Sequence, residues 1–227
     1  MDTNLSDLVF KRRYVDAHLS AVALNGFQPS ALSLSILRAV NEYAGTSNSL
    51  MVGGAMTAEY NKASPRDYDV HISYPETKAA LAANDGQFLG KDRIMHDIVS
   101  DIEASKHFRL IESPKFVRHN KSLLCNVGFE FEGQMVDISM TPDPISLNSR
   151  AMYGDAILNS IAMNDEGKVL AHPYFEEDMK DKDWTIRVKG SYDHARAVYR
   201  FDRRAEHLED FTMVTADAYD SQLTQVP

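Results

Sequence analysis

Two aspartates with one residue between them, Asp67 and Asp69, stand in the stretch Arg66-Asp67-Tyr68-Asp69-Val70-His71-Ile72. Residues two apart on a strand point to the same face, so the two carboxylates sit side by side while Tyr68 and Val70 point the other way. Like charges that close raise each other's pKa unless a cation stands between them. An all-oxygen donor set suits a hard divalent ion, two Mg2+ first, with Mn2+ as a substitute. Upstream, the apolar run Leu50-Met51-Val52 ends in Gly53-Gly54, and a helix-length segment follows. A diglycine at such a junction lets backbone N–H groups turn toward an anion. A phosphate cradle beside a carboxylate metal site is the minimum equipment for phosphoryl or nucleotidyl transfer. Further on, Val136, Ile138 and Met140 alternate with Asp137 and Ser139, which places a third carboxylate on the face opposite the apolar set.

These groups need strands to hold them. Residues 49–52 are short, apolar and bounded by turn residues, as a buried strand would be; Asp67 to Ser73 reads as the next strand. Phe108 to Ile111 and Lys115 to His119 read as strands around Ser113-Pro114. Leu123 to Glu132 and Gln134 to Thr141 form a hairpin turning at Glu132-Gly133. Helices are predicted over 5–24, from Leu32 to Tyr43 with Ser30 as N-cap, from Ala55 to Asn61, from Asp92 to Ser105, from Asp155 to Met163 and from Asp193 to Phe211. Pro75 to Asn84 is a short helix or loop, Lys168 to Ala171 is extended, and Glu176 to Lys182 is a helical turn or two. The fold class is α+β, a small mixed or antiparallel sheet flanked by helices, with a short helical extension at the C-terminal end. The organisation is N-terminal helices over 1–47, a catalytic head over 48–172, a helical, neck-like extension over 173–214 and a loose tail over 215–227.

A chain of 227 residues with 44% apolar content can bury a full core as one domain with an appendage. No apolar run reaches the length of a membrane span, and the N-terminus lacks a signal-like apolar region. A single cysteine, Cys125, in an apolar run fits a reducing cytoplasm. The net charge of −9 excludes a protein that grips long duplexes by neutralising phosphates. Two local basic clusters can still hold a nucleotide or a strand end: Lys106, Arg109, Lys115, Arg118, His119 and Lys121, and Arg187, Lys189, Arg196, Arg200, Arg203 and Arg204.

Strand, diglycine, helix, an Asp-x-Asp strand and a later carboxylate resemble the nucleotidyltransferase superfamily of polymerase-beta type. The pattern is most similar to the head domain of bacterial-type CCA-adding enzymes and poly(A) polymerases. The residues that carry this are Val52-Gly53-Gly54-Ala55-Met56, Asp67-Tyr68-Asp69, the run Asp155 to Met163, the run Asp165 to Tyr174, and Asp193-His194-Ala195-Arg196 at a helix start. The resemblance implies that Gly53 and Gly54 approach the triphosphate and that Asp67, Asp69 and Asp137 bind two Mg2+ ions, Asp137 also helping to deprotonate the attacking hydroxyl. It further implies that Asp155 and Asn159 contact the sugar and triphosphate. Asp193 and Arg196 would meet the Watson–Crick edge of adenine or cytosine. Three departures stand out. Thr57-Ala58 occupy positions where the family has Arg-Asp, Tyr153-Gly154 replace two arginines, and His172 replaces an aspartate. Arg150 and Lys62 are the candidates to replace the missing cation.

The same residues admit structural roles. Asp67 and Asp69 can cap a turn after Pro65, Asp137 can pair across the hairpin, and Asp155 can favour a helix start through the dipole. Asp193 and Arg196 can form an intrahelical ion pair. The expected activity is transfer of AMP or CMP from ATP or CTP to an acceptor hydroxyl, with release of pyrophosphate. The expected acceptor is an RNA 3′ end such as tRNA. The alternatives are nucleotidylation of a protein or small molecule, and a catalytically degenerate nucleotide-binding module.

Overall fold

The computed structural model describes residues 9–13, 19–44, 49–73, 89–119, 122–141, 145–152, 154–186 and 191–217. In chain order the elements begin with β1 (Val9–Arg13), β2 (Val22–Ala23), α1 (Ala31–Ala44), β3 (Ser49–Val52), α2 (Gly54–Tyr60) and β4 (Asp67–Ser73). Then come α3 (Leu89–Ala104), β5 (Phe108–His119), β6 (Ser122–Phe131), β7 (Gln134–Thr141) and α4 (Leu147–Met152). A 3-10 turn (Ile157–Asn159) leads to β8 (Ile161–Met163), β9 (Val169–Ala171), α5 (Phe175–Asp181), β10 (Asp183–Ile186), α6 (Ser191–Asp202), a second 3-10 turn (Glu206–Leu208) and β11 (Thr212–Asp217).

An eight-stranded sheet in the order β2-β9-β8-β3-β4-β7-β6-β5 carries the fold. Its neighbours are antiparallel except β4 and β7, which run parallel. All residues of β3 are buried because it is covered on both faces. Met51 joins the main core, while Leu50 and Val52 join a smaller cluster with Ala151 and Ala162. β4 alternates: Tyr68, Val70 and Ile72 are buried, and Asp67, Asp69 and His71 lie on the other face. α1 places Ile36, Leu37 and Val40, and α3 places Ile98, Val99 and Ile102, on the core face of the sheet. The hairpin β6–β7 turns through Glu132 (φ 50°) and Gly133 (φ 82°). Two left-handed residues in succession match the twist of antiparallel strands. Ser30 caps α1 as expected, its Oγ accepting from the Ser33 N–H at 3.1 Å.

The α+β reading agrees with this architecture, and several element boundaries do not. Within 5–24, residues 9–13 and 22–23 are edge strands of the two sheets rather than helix, with Val22 and Ala23 exposed, and 5–8 and 14–18 lie outside the described residues. The strands expected on either side of Ser113-Pro114 are one strand with irregular register at Glu112. The segment from Asp155 to Met163 is not a helix. Ala156 is extended and bridges Ile186, a single 3-10 turn follows, and β8 then pairs with β3 and β9. A short apolar run is ambiguous by periodicity alone, and the free edge of β3 decides it. The long C-terminal helix stops at Asp202, where the Arg204 guanidinium donates to the carbonyls of Phe201, Leu208 and Glu209 and lies 3.9 Å from the Phe201 ring centroid. The stretch read as the start of a tail extends β11 through Asp217. β11 is the centre of a parallel three-stranded sheet, β1-β11-β10, which the periodicity did not reveal. The expectations for 75–84 and 218–227 lie outside the described residues.

Candidate functional site

The parallel pairing of β4 and β7 sets Asp69 directly beside Asp137. The register continues outward from Asp137 to Gly128 on β6 and to Glu112 on β5, and inward from Asp69 to Val52 on β3. One row across the open face of the sheet therefore reads Glu112, Gly128, Asp137, Asp69, Val52. Asp67 lies two residues back along β4, and Arg66 donates to its carboxylate at 2.9 Å. Behind the row, Lys115 pairs in register with Asn126, which accepts from the Ser139 hydroxyl at 2.7 Å. A cleft of about 350 Å³ opens over these residues, lined by Asp69, Asp137, Gly128, Glu112, Lys115, Asn126 and Ser139.

Gly128 makes the cleft floor. A Cβ there would stand 3.1 Å from the Glu112 Cβ and 3.4 Å from the Asp137 carboxylate. Glycine inside a strand marks such a close approach, and this signal was present in Val127-Gly128-Phe129 but went unread. Glu112, ion-paired with Lys115 at 2.6 Å, was also missed; nothing in its local pattern distinguishes it from a solvated strand residue.

Burial, Asp67 and Asp137 together push the Asp69 carboxyl up to about 6, against the opposing pull of Arg150 and Arg200. The Asp137 carboxyl is also raised, first by burial and then by Asp67 and Glu112, with Lys115 and Arg66 acting the other way. Such a site holds more negative charge than its own cations offset.

The diglycine is only partly as expected. Gly53 takes φ 68°, ψ −132°, a conformation reserved for glycine, and a Cβ there would stand 4.0 Å from the Asp69 carboxylate. Its N–H, however, donates to the Ile161 carbonyl at 3.1 Å, so the sheet uses the amide that a phosphate was expected to meet. Gly54 is exposed at the start of α2. Thr57 is buried, its hydroxyl bonding to the Leu158 carbonyl, and Ala58 is buried beside it. A charged side chain at either position would be forced into the core. Gly154 is closed to any side chain: a Cβ would lie 2.6 Å from the Ser160 hydroxyl and 2.7 Å from the Asn159 backbone.

Asp155 and Asn159 are brought together, the Asn159 amide donating to Asp155 at 2.9 Å. The other Asp155 oxygen accepts from Arg200. Lys62 is exposed past the end of α2, whereas Arg150 reaches over β4 to His71. In the first basic cluster Arg109 pairs with Glu130 and Lys115 with Glu112, while the side chains of Arg118, His119 and Lys121 lie outside the described residues. Asp193 and Arg196 fall on α6, and their side chains lie outside the described residues.

The chain is similar in structure to CCA-adding and other tRNA-processing enzymes. A CCA-adding enzyme in complex with CTP matches at 14% identity and a TM-score of 0.47, over 81% of this chain and 40% of that one. A tRNA-processing enzyme in an apo form matches at 13% identity and a TM-score of 0.49, over 81% of this chain and 46% of that one. The Thermotoga maritima CCA-adding enzyme complexed with tRNA matches at 15% identity and a TM-score of 0.49, over 86% of this chain and 43% of that one. This chain thus spans less than half the length of each. No protein-family model and no curated protein matches it.

Among the described residues, no three His, Cys, Asp or Glu side chains form a ready-made metal cage. That is compatible with Mg2+, which keeps several waters and relies on one or two carboxylates together with substrate phosphates. The donors are all carboxylate oxygens, they share one sheet face, and their mutual repulsion is what a divalent cation would relieve. No helix among the described residues is long and apolar enough to cross a membrane.

Proposed function

We propose that this protein is a Mg2+-dependent nucleotidyltransferase. It moves AMP or CMP from the nucleoside triphosphate to an acceptor hydroxyl, an RNA 3′ end such as that of tRNA. The observation that supports this most directly is the pairing of Asp69 with Asp137 at one register position, with Asp67 two residues away, at the edge of an open cleft. Mg2+ held by these carboxylates would neutralise the triphosphate and sharpen the attacking hydroxyl. Asp137, which lines the cleft beside Asp69, accepts the proton of that hydroxyl. The new bond joins the acceptor oxygen to the α-phosphorus, and the bond to the bridging oxygen breaks with pyrophosphate as leaving group. Asp155 and Asn159, already joined, orient the sugar and triphosphate, and Asp193 and Arg196 read the base.

The test supplies each NTP, labelled at the α-phosphate, with Mg2+ and in turn tRNA, other RNA and protein. Label should move to tRNA from ATP or CTP and disappear in Asp69→Asn and Asp137→Asn, each lowering kcat by ~100-fold or more. Binding of NTP without any transfer or pyrophosphate would instead make the protein a nucleotide-binding module.

A further inference from the structure

Arg150 is a half-buried cation on α4, with Asp69 and Asp155 as the negative charges that attract it. Its Nη2 lies 3.3 Å from the His71 Nε2, and its Nε is buried with no hydrogen-bond partner among the described residues. It makes none of the salt bridges found among them. A guanidinium taken out of water in this way is costly unless an anion completes it. The His71 imidazole it meets carries no negative charge to offset it.

A second cation comes to the same place. Arg200, fifty positions later on α6, reaches Asp155, and both arginines act electrostatically on Asp69. Two like charges brought together by separate helices repel, and the carboxylates around them are ones the catalytic reading assigns to other partners. The positions beside the diglycine and Asp155 supply no further cation. α2 has no basic residue, Thr57 points into the core, and Gly154 has no room for a side chain.

We propose that Arg150, flanked by Arg200, is the phosphate-binding cation pair of this site and grips the β- and γ-phosphates of the incoming nucleoside triphosphate. The inference rests on the nucleotidyltransferase reading and adds where the triphosphate tail is held: over β4, on the α4 side of Asp69, rather than on the Gly53 amide. The planar fork of Arg150 suits two phosphate oxygens at once, with the unpartnered Nε as one donor. Arg200 turns part of its hydrogen bonding from Asp155 to the phosphate, which frees an Asp155 oxygen for the sugar.

The test compares triphosphate with monophosphate. Equilibrium affinities of ATP, AMP, CTP and CMP are measured calorimetrically with Mg2+ for the wild type, Arg150→Gln, Arg150→Lys and Arg200→Gln. Arg150→Gln should weaken the triphosphates ~10-fold or more while the monophosphates stay within about twofold. Arg150→Lys keeps the charge and loses the fork. It should show the same selective loss, and it carries the test if the Gln variant does not fold. Equal losses for tri- and monophosphate, or no loss for either, would overturn the assignment while leaving nucleotidyl transfer in place. A wild type that binds none of the four nucleotides overturns the nucleotidyltransferase reading, and this inference with it.

Discussion

Asp69 is held near pKa 6 by burial and by two neighbouring carboxylates, and this carries a signed consequence for pH. The folded state binds its proton more tightly than the unfolded chain, where the group titrates near the ordinary carboxylate value of 3.8. Stability contributed by the protonated form is present at low pH and is lost as pH rises between those two values, by up to ~3 kcal/mol. Thermal melts without metal should show this loss in the wild type and a flatter profile in Asp69→Asn. Adding Mg2+ should raise the wild-type melting temperature at about pH 8 and much less at about pH 5, because only the ionised carboxylates bind it. Gly128 makes a different prediction. Gly128→Val places branched carbon where even a Cβ is already 3.1 Å from Glu112. The variant should stay folded at a cost of ~1–3 kcal/mol and lose transferase activity, read by label transfer beside a melt. Gly154 and Thr57 show why two departures from the family pattern were legible in the sequence while their reason was not. The positions are closed by backbone and core atoms that come from over a hundred residues away in one case and a few residues away in the other.

Helices α1 and α2 lock the front of the site. The Glu59 carboxylate on α2 accepts from the Ser30 N–H at 2.9 Å and the Ser30 hydroxyl at 2.6 Å, so one element supplies the negative charge at the start of the other. Glu59→Ala should destabilise the protein by ~1–3 kcal/mol, measured by urea unfolding, with Glu59→Gln intermediate. Asn41 ties α1 to β3 through Ser49 and to the β8–β9 turn through Asp165, at 2.8 Å for the latter. Strands β3, β4, β6 and β7 and helices α1, α2, α3 and α5 were legible because their burial is local: a period of two or of 3.6 reports which face is covered. The segments 9–13, 155–163 and 203–217 were not, because their conformation depends on a strand edge or a capping guanidinium supplied from elsewhere.

Across the molecule, the open sheet face is divided in two. α4 covers β3 and β8 through Ala151, Leu50, Val52 and Ala162, and the β4–β7–β6–β5 half is left exposed as the cleft. The three-stranded sheet joins this body through the Ala156–Ile186 bridge, immediately after Asp155. Trp184, the single tryptophan, is buried on β10 with its ring 6.3 Å from that of Phe201. Val214, fully buried at the centre of β11, is therefore a probe of the whole assembly. Val214→Asp buries an unpaired charge and should cost ~3 kcal/mol or more. Trp184 fluorescence should then shift at the same midpoint as far-UV circular dichroism, since the two sheets share the Asp155 segment. A Trp184 transition well before the main one would show that the sheets unfold separately.

The sequence by itself determined the carboxylate face, the diglycine turn, the hairpin and the α+β class, all of which follow from alternation and turn chemistry within a few residues. The tertiary structure decided the register that sets Asp69 beside Asp137 and the consumption of the Gly53 amide by Ile161. It also decided the open floor at Gly128 and the meeting of Arg150 with Arg200. Each of these joins residues far apart in the chain. Pairing register and buried charge balance are properties of what lies opposite a residue, and no local pattern encodes that.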